Sequence, residues 1–566
     1  MSKLNRDILY LVFEEFQDDT KALYSSLLVN KTWCEIIVLI LWKNPWKYLT
    51  NKNENLLFNV IISHLSDESK NNLINHNIEL FPIFSQKPLF NYISFCKHLN
   101  LSSIDKVINT IKYYYTESSI SIIKNEIYNL FINESTKFTY LYIPQYFDYQ
   151  IHLIPGAKHC FSEIIFLSCN IGVNDNVLIG LAGICQSIKE LELFVERKNS
   201  KNIYGITKLI DASKKLIDVR LLTVNTGFDI IPINLYYVEE SLKPFHIILE
   251  NSLMKHAHTI QYFMITSPPA TRILSSLVNL KRLELRIDNH NVKLDFLENV
   301  SLSSLRILKS NIFQIKFLRN LILNTDRSLT KISIDNKLHN EIDNKNIIKA
   351  IYQNCPNLIY LKLMFRNENI LELEQLLINC QYLIGLYFLI INIFNWDKLF
   401  EILNISSPTS LFKFKFNIIS HESINLESLI LFINNWKGRH PMLLQLDPYG
   451  CTDLFDLIEE YKSEGIIKKF NYLHRDFEDF ECYHYPWNCL ENLSLPFLQT
   501  LKTRVIPVEI LAIYQKFPKL TYLKLILIIS ENITEFENIL IRCQYLDELF
   551  ISVDNLFNPR ELFEIF

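Results

Sequence analysis

One segment of this 566-residue chain brings several potential metal ligands close together. The stretch "HRDFEDFECYHYPWNC" contains His474, Cys482, His484 and Cys489. Zinc sites usually contain pairs of ligands with about two to four residues between them. A single residue separates Cys482 from His484, and Cys489 has no partner nearby. The spacing therefore favours a loop, and we expect neither a metal ion nor another cofactor.

The sequence contains no pattern that would assemble a catalytic site. The triplet "HRD" at His474 to Asp476 occurs in the catalytic loop of protein kinases, but no glycine-rich loop accompanies it. Nucleophile elbows, phosphate-binding loops and the His-Glu-x-x-His metal motif do not occur either. We therefore expect a protein that performs no bond chemistry itself.

Composition narrows the classes of partner and compartment. The net charge of −4, from 57 basic and 61 acidic residues, gives no general attraction for nucleic acid or for anionic lipid. The apolar run Tyr382 to Phe394 is shorter than the roughly 18–20 residues of a membrane span. Arg6 and Asp7 interrupt the first apolar pattern, which excludes a secretory signal. Eleven cysteines without paired short spacings fit a reducing compartment, so we expect a cytoplasmic or nuclear protein.

A leucine pattern repeats along the chain after residue 134. The segments Ile351 to Leu363 and Ile513 to Leu525 are identical at nine of 13 positions. The smaller unit reads x-x-L-x-x-L-x-L, and most copies follow each other after about 20 to 29 residues, which is typical of leucine-rich repeats. The pattern begins at Phe138, Ile164, Ile188, Leu216, Ile260, Leu280, Leu305, Leu329, Leu358, Leu383, Leu411, Leu443, Phe470, Leu498, Leu520 and Leu546.

The repeat predicts an α/β solenoid of about 16–17 degenerate units over residues 135–566. In each unit the leucine pattern turns alternate side chains inward from a short strand, and the next stretch, such as Asn369 to Cys380, forms a helix on the outer side. Neither element buries its apolar side alone, but stacked units form one core. The expected shape is a horseshoe with inner parallel strands and outer helices. The long step from Leu216 to Ile260 suggests one further degenerate copy.

Four units carry a cysteine three residues before the first leucine-type position: Cys185, Cys355, Cys380 and Cys543. Free cysteine is small, apolar and usually buried, so these residues are predicted to end the helix inside the stack. The feature resembles the cysteine-containing type of leucine-rich repeat. Residues 50–134, before the repeats, contain several helix-like apolar segments and are predicted to be a helical connector.

The first 49 residues predict three short helices. Asn5 to Phe16 has helical apolar spacing, a second helix can begin at Asp18 to Thr20, and a third can begin at Asn30. The third contains the apolar-rich run Ile36 to Trp42. Three helices of this length cannot bury all of that apolar surface, so some of it should meet a partner or the following domain.

This segment resembles an F-box. The family pattern starts with Leu-Pro-x-Glu-Ile-Leu, continues with Val-Cys-Lys-x-Trp and closes with Leu-Trp. Here Asn5 stands in place of the proline and Asn30 in place of the cysteine. Asparagine is a good helix N-cap, so both helices can still begin there. The residues that match, and that are predicted to contact an adaptor or support that contact, are Leu4, Asn5, Ile8, Leu9, Phe13, Leu28, Val29, Trp33, Leu41 and Trp42.

The resemblance implies a substrate-recognition subunit of a Skp–cullin–F-box (SCF) ubiquitin ligase. The F-box, residues 1–49, would bind a Skp-type adaptor and, through it, the cullin and RING subunits. The repeats would hold a protein substrate whose identity the sequence does not give. Such a receptor acts by raising the effective concentration of substrate lysines near the ubiquitin-charged enzyme.

Two other interpretations remain open at this point. The chain can be a leucine-rich-repeat scaffold whose first helices only cap the solenoid, since solenoids require caps. It can also be an enzyme whose site lies in the connector or in the loop from His474 to Cys489. Co-purification of an adaptor would separate the first alternative from an F-box receptor, and retention of a metal or small molecule would favour the second.

Overall fold

The computed structural model describes residues 5–17, 19–50, 52–80, 88–196, 203–224, 235–287, 294–336, 340–390, 394–418, 424–446, 455–472, 500–505, 522–527 and 548–553. The chain forms two compact units, one of Leu23–Leu280 and one that combines Met1–Ala22 with Lys281–Phe566.

Nineteen α-helices lie in these described ranges. They are α1 (Arg6–Glu15), α2 (Thr20–Leu27), α3 (Lys31–Lys43), α4 (Glu54–Ser63), α5 (Asp67–Asn75), α6 (Tyr92–Phe95), α7 (Leu101–Ile108), α8 (Glu117–Phe131), α9 (Ala157–Phe161), α10 (Asp175–Ala182), α11 (Ile203–Ala212), α12 (Leu235–Met254), α13 (Ile273–Ser276), α14 (Ile315–Leu323), α15 (Glu341–Asn354), α16 (Ile370–Asn379), α17 (Trp396–Ser406), α18 (Leu426–Asn435) and α19 (Phe455–Ser463). Short 3-10 helices occupy Pro45–Tyr48, Asn109–Ile111, Ile151–Leu153, Asp295–Leu297 and Asn367–Asn369.

Seventeen strands lie in the same ranges. They are β1 (His98–Asn100), β2 (Tyr140–Ile143), β3 (Phe166–Asn170), β4 (Glu190–Glu196), β5 (Asp218–Val224), β6 (Tyr262–Ile265), β7 (Arg282–Leu285), β8 (Ile307–Ser310), β9 (Lys331–Ile334), β10 (Tyr360–Met364), β11 (Gly385–Ile390), β12 (Lys413–Ile418), β13 (Met442–Leu446), β14 (Ile467–Tyr472), β15 (Thr500–Val505), β16 (Tyr522–Leu527) and β17 (Glu548–Val553).

The unit Leu23–Leu280 holds strands β1 to β6 in chain order, and each pairs with the next in parallel. Parallel neighbours need a crossover connection, and here a helix follows most strands before the next begins. Alternate side chains along these strands are buried, as Leu141, Leu167 and Leu191 show, and in β3 the side chains between them are buried as well. The same order recurs in the second unit, where β7 to β14 pair in parallel, as do β15 to β17.

The predicted α/β architecture of parallel strands that alternate with helices is confirmed. Fourteen of the sixteen leucine patterns begin two residues before a strand, as Phe138 does before β2 and Leu546 before β17. The positions predicted from Leu443 and Phe470 are wrong, because both residues lie inside strands β13 and β14. Met442, Leu443 and Leu444 are all apolar, so the sequence pattern did not distinguish Met442 and Leu444, which are fully buried, from Leu443 between them, which is 8% exposed.

Two other features differ from the sequence-based expectation. Strand β1 lies in the segment that was predicted to be a helical connector, and it pairs with β2. Its signal is short but present, since buried Cys96 is followed by buried Leu99 and Leu101. The long step from Leu216 to Ile260 contains helix α12. Strands β5 and β6 on either side of it pair directly, so no strand of a further copy lies between them in the sheet.

Asparagine begins many of the helices. Asn340, Asn395 and Asn425 each accept a hydrogen bond from the backbone N–H three residues later, at the starts of α15, α17 and α18. A capping oxygen satisfies one of the donors that the first helical turn leaves without an intrahelical partner. The high asparagine content of the chain therefore contributes to where the outer helices begin.

The predicted structural cysteines are buried. Cys355 and Cys380 stand immediately after α15 and α16, and Cys185 lies in the turn after α10. All three are at most 1% exposed, and burial raises the pKa of Cys185 and Cys380 to about 12. They end their helices inside the core, as predicted. Cys543 lies outside the described residues.

In the parts of the chain that the structure describes, no helix is both long and apolar enough to cross a membrane.

Candidate functional site

The first predicted adaptor-binding residues lie on helix α1. Asn5 caps this helix, since its Oδ1 accepts a hydrogen bond of 3.3 Å from the backbone N–H of Asp7. Leu9 and Phe13 are buried, whereas Ile8 is exposed. The helix therefore divides its predicted residues between a buried side and a solvent side. Leu4 lies outside the described residues.

The short link between α2 and α3 exposes two adjacent apolar side chains. Leu28 is 90% exposed and Val29 is 56% exposed. Asn30 follows them, and its Oδ1 accepts a 3.0 Å hydrogen bond from the backbone N–H of Trp33. The replacement of cysteine by asparagine thus supplies the N-cap of α3. Exposed apolar side chains of this size are common singly, but an adjacent pair beside a fixed helix start is a candidate contact surface.

The apolar-rich run of α3 is mostly packed inside the protein. Ile36, Ile37, Val38 and Ile40 are buried, and Leu41, Trp42 and Trp33 are partly exposed. The Trp42 ring stacks on Tyr92 of helix α6 with a centroid distance of 4.6 Å. Helix α6 belongs to the residues that follow the predicted F-box, so the following segment covers part of this apolar surface.

The end of α3 is bonded directly to the first strand of the sheet. The backbone N–H of Lys97 donates to the carbonyl of Lys43 at 2.9 Å. The indole Nε1 of Trp46, in the 3-10 helix Pro45–Tyr48, donates to the carbonyl of His98 at 2.7 Å. Trp46 is also buried and packs against Phe131 of α8. These contacts fix the orientation of α3 relative to strand β1 and the strands that follow.

Strand side chains that alternate with the buried leucines form a second candidate surface, which we call the strand face. Most of them are partly exposed, whereas Phe166, Ser168 and Met264 are buried. Strand register places its members in two rows. The first row contains His98, Tyr140, Phe166, Glu190, Asp218 and Tyr262, on strands β1 to β6. The second row contains Asn100, Tyr142, Ser168, Glu192, Arg220 and Met264.

Aromatic rings form the first half of the strand face. His98 stacks on Tyr140 with a centroid distance of 3.9 Å and an interplanar angle of 4°. Phe166 lies 5.6 Å from Tyr140 and 5.2 Å from Tyr142, measured between ring centroids. Burial and the neighbouring Tyr140 raise the pKa of Tyr142 to about 12, so this half presents uncharged rings at neutral pH.

His98 makes folding stability depend on pH. Burial, and then the charges of Lys43 and Lys47, lower the pKa of His98 to about 4 from an ordinary value of 6.5. The unfolded chain therefore binds this proton more strongly than the folded protein. The contribution of His98 to the unfolding free energy is therefore greatest above pH 6.5, and it decreases as the pH falls from 6.5 towards about 4.

We expect His98→Phe to reduce the loss of unfolding free energy between about pH 7 and about pH 5, because phenylalanine keeps the ring but does not titrate. Urea titrations of both proteins at the two pH values measure this difference. Part of the pH dependence should remain, since burial also lowers the pKa of His440 to about 4. An equal loss in the two proteins would contradict the assignment to His98.

Carboxylates form the second half of the strand face. The guanidinium of Arg220 donates to both carboxylate oxygens of Asp218, at 3.1 Å from Nε and 2.8 Å from Nη2. Its Nη1 lies 3.5 Å from Oε2 of Glu192, and Oε1 of the same carboxylate accepts a 2.9 Å hydrogen bond from Ser168 Oγ. The Arg220 guanidinium carbon lies 5.4 Å from the centre of the Tyr262 ring. Charge and ring stacking therefore act together at this position.

The two candidate surfaces differ in how far the sequence predicted them. The resemblance to an F-box predicted the residues near Leu28 and Trp42, and their contact with an adaptor stays a prediction. The strand face was not predicted residue by residue, although each first-row residue from Tyr140 to Tyr262 stands two positions after a predicted leucine-pattern start. An alignment of the repeats on that start would have found the strand face.

The loop candidates His474, Cys482, His484 and Cys489 lie outside the described residues, and no group of three potential metal ligands occurs among those described.

Comparison with known proteins gives little further guidance. No protein-family model matches the chain, and no curated protein matches it. Among solved structures, the chain is similar to one described as the crystal structure of the Rad7 and Elc1 complex in yeast. The match covers 79% of this chain and 92% of the other at 12% sequence identity, with a TM-score of 0.27.

Proposed function

We propose that this chain is the substrate-recognition subunit of an SCF-type ubiquitin ligase. Residues 1–49 bind a Skp-type adaptor, which connects the chain to the cullin and RING subunits, and the repeats bind a protein substrate. The chain performs no catalysis and needs no cofactor. It works in the cytoplasm or nucleus, where those subunits are found.

The exposed pair Leu28 and Val29 is the observation that carries this proposal. The F-box resemblance predicts adaptor contact at these positions, and apolar side chains that stay in solvent in the free chain gain the most from burial in a complex. Transfer of each one out of water contributes about 1.5–3 kcal/mol. Their position beside the capped start of α3 gives the adaptor a rigid surface.

The bonds between α3 and strand β1 support the same function. A ligase receptor must hold its substrate at a fixed distance and angle from the adaptor, because catalysis by positioning is lost when the geometry varies. Here the carbonyl of Lys43 and the indole of Trp46 bond to Lys97 and His98 at the start of the sheet. A chain whose first helices moved independently of its repeats would position a substrate poorly.

Co-expression with a Skp-type adaptor tests the proposal. We expect the natural chain to retain the adaptor, and the double variant Leu28→Asp/Val29→Asp to lose it by roughly two orders of magnitude, since two apolar contacts are replaced by charges. The control is Leu56→Asp on helix α4, which changes a side chain that is 66% exposed in the same compact unit.

Each outcome decides between defined alternatives. Loss of the adaptor in the double variant, with retention in the control, supports the receptor function. A natural chain that is folded by circular dichroism and retains no adaptor would instead identify a leucine-rich-repeat scaffold. Equal retention by the natural chain and the double variant would place the adaptor contact elsewhere.

A further inference from the structure

Strand β17 is the last strand of the sheet β15 to β17, and only one of its edges is paired with a strand. It pairs with β16 along its whole length, from Glu548 opposite Tyr522 to Val553 opposite Leu527. Among the described strands, none pairs with its second edge. The backbone N–H and C=O groups of such an edge are open to pairing with another chain, and proteins often cover them with a helix or a loop.

Helix α1 lies against this strand. Cα atoms of α1 and β17 approach within 8 Å of each other, and both elements belong to the same compact unit. The N-terminal part of that unit ends at Ala22, inside helix α2, so α1 is grouped with the C-terminal repeats although it stands at the other end of the sequence. The first helix of the chain is therefore in a position to cover its last strand.

One side of α1 is apolar and closed to solvent. Leu9 and Phe13 are 5% and 3% exposed, and they lie on the same side because they stand four positions apart in a helix. Ile8 and Leu11 are 47% and 53% exposed. Since burial of large apolar side chains stabilises packing, the side with Leu9 and Phe13 holds the helix in its place beside β17.

The proposed function requires the same side of α1. The F-box resemblance assigns Leu9 and Phe13 to the adaptor contact or to the core that supports it. A side chain that holds α1 in one place cannot fill a second contact at the same time. A helix that must leave β17 before it joins the adaptor lowers the apparent affinity, in proportion to the fraction of chains in which it is released.

We propose that strand β17 forms an autoinhibitory contact, which holds α1 in the free chain and is given up when the adaptor binds. This inference rests on the proposed function, because it concerns the regulation of adaptor binding. In the free chain α1 covers the second edge of β17, and in the adaptor complex that edge is uncovered. By linkage, a change that weakens the contact between α1 and β17 strengthens adaptor binding.

Hydrogen–deuterium exchange of the full chain tests the contact itself, without the adaptor. Phe13→Ala should speed exchange of the amides of residues 548–553 about tenfold, because it removes a buried ring that holds α1 in place. The matched control is Leu11→Ala on the same helix, where the side chain is more than half exposed. Exchange of residues 548–553 that is equal in Phe13→Ala and Leu11→Ala would overturn the proposal.

The same measurement with a saturating amount of purified Skp-type adaptor tests the release of α1. Exchange of residues 548–553 should rise in the complex, since the helix no longer covers the strand. Exchange of residues 522–527 should change little, because β16 pairs with a strand on each side. Exchange in β17 that stays the same or slows when the adaptor binds would show that α1 remains in place, and the autoinhibition would be wrong.

A change confined to β17 tests the effect on affinity. Successive residues of a strand direct their N–H groups to opposite edges, so Phe550→Pro/Ile551→Pro removes a donor from each edge. This variant should bind the adaptor about tenfold more tightly than the natural chain. Its control is Lys469→Pro/Phe470→Pro, at the same two positions of β14, which ends the other sheet of this unit. An equal gain in both variants, or none in either, would contradict the proposal.

The proposed function and the autoinhibition fail in different ways. A natural chain that binds the adaptor without any change in the exchange of β17 keeps the receptor function and loses the autoinhibition. If no variant binds the adaptor, but Phe13→Ala still uncovers β17, then α1 is a cap of the last repeat and the ligase role is wrong as well.

Discussion

Phe432→Ala should lower the unfolding free energy of the repeats by about 3–5 kcal/mol, the usual cost of removing a buried phenylalanine side chain. Phe432 lies on α18 and is completely buried. Its ring stacks on Phe400 with a centroid distance of 4.9 Å and lies 5.4 Å from Phe414 and 5.5 Å from Trp436. Alanine would leave a cavity between a strand and two helices of adjacent repeats, which cannot close without moving those elements.

The matched control is the preceding residue of the same helix. Leu431 is 61% exposed, so Leu431→Ala should change stability by no more than about 0.5 kcal/mol. Urea unfolding followed by circular dichroism and by tryptophan fluorescence measures both variants, and Trp436 reports directly on the cluster. Because repeats contact mainly their neighbours, the fluorescence transition should move to lower urea before the rest of the signal. Equal losses in the two variants would contradict the assignment of the buried side of α18.

Gly156→Ala should be nearly as damaging for a different physical reason. Gly156 begins helix α9 with a φ of +91°, a backbone conformation that costs an L-residue about 1–2 kcal/mol. A Cβ built there would lie 2.6 Å from the backbone carbon of Asn133 and 2.7 Å from the nitrogen of Glu134. Backbone atoms cannot rotate away as side chains do, so overpacking adds about 1–3 kcal/mol.

Gly438→Ala separates the two contributions. Gly438 has nearly the same backbone angle, φ +87°, but nothing lies within 4 Å of a Cβ built on it. This variant should therefore lose only the conformational part, about 1–2 kcal/mol. Thermal unfolding of the two variants gives the comparison. If Gly438→Ala proved as unstable as Gly156→Ala, close contact with Asn133 would not be the cause.

The positions of strands could be predicted from sequence because burial alternates along them. The pattern has a leucine-type residue two positions before the strand and two more leucine-type residues on one side of the strand. Only one choice of inward-facing positions buries all three residues. That rule places β3 after Ile164 and β11 after Leu383. It fails at Leu443, where three successive apolar residues allow both registers, and at β1, where the signal is limited to Leu99 and Leu101.

The candidate sites could be predicted less well, for reasons that are also physical. The F-box resemblance identified both Leu28 and Trp42, but the two side chains differ in solvent exposure, which the sequence did not predict. Trp42 packs on Tyr92, while Leu28 remains in solvent. The pair Glu190 and Asp218 comes from different repeats, and only strand register makes them neighbours. A single charged residue in one repeat does not indicate a site, because its like-charged neighbour comes from the adjacent repeat and is recognised only from the strand register.

The central claim, that this chain is an adaptor-bound ligase receptor, is tested most directly by the mass of the particle it forms. The purified chain is mixed with an excess of purified Skp-type adaptor and separated by size-exclusion chromatography with light scattering. The receptor function predicts a one-to-one complex that Leu28→Asp/Val29→Asp fails to form. A folded natural chain that elutes at its own mass, with the adaptor separate, would contradict it.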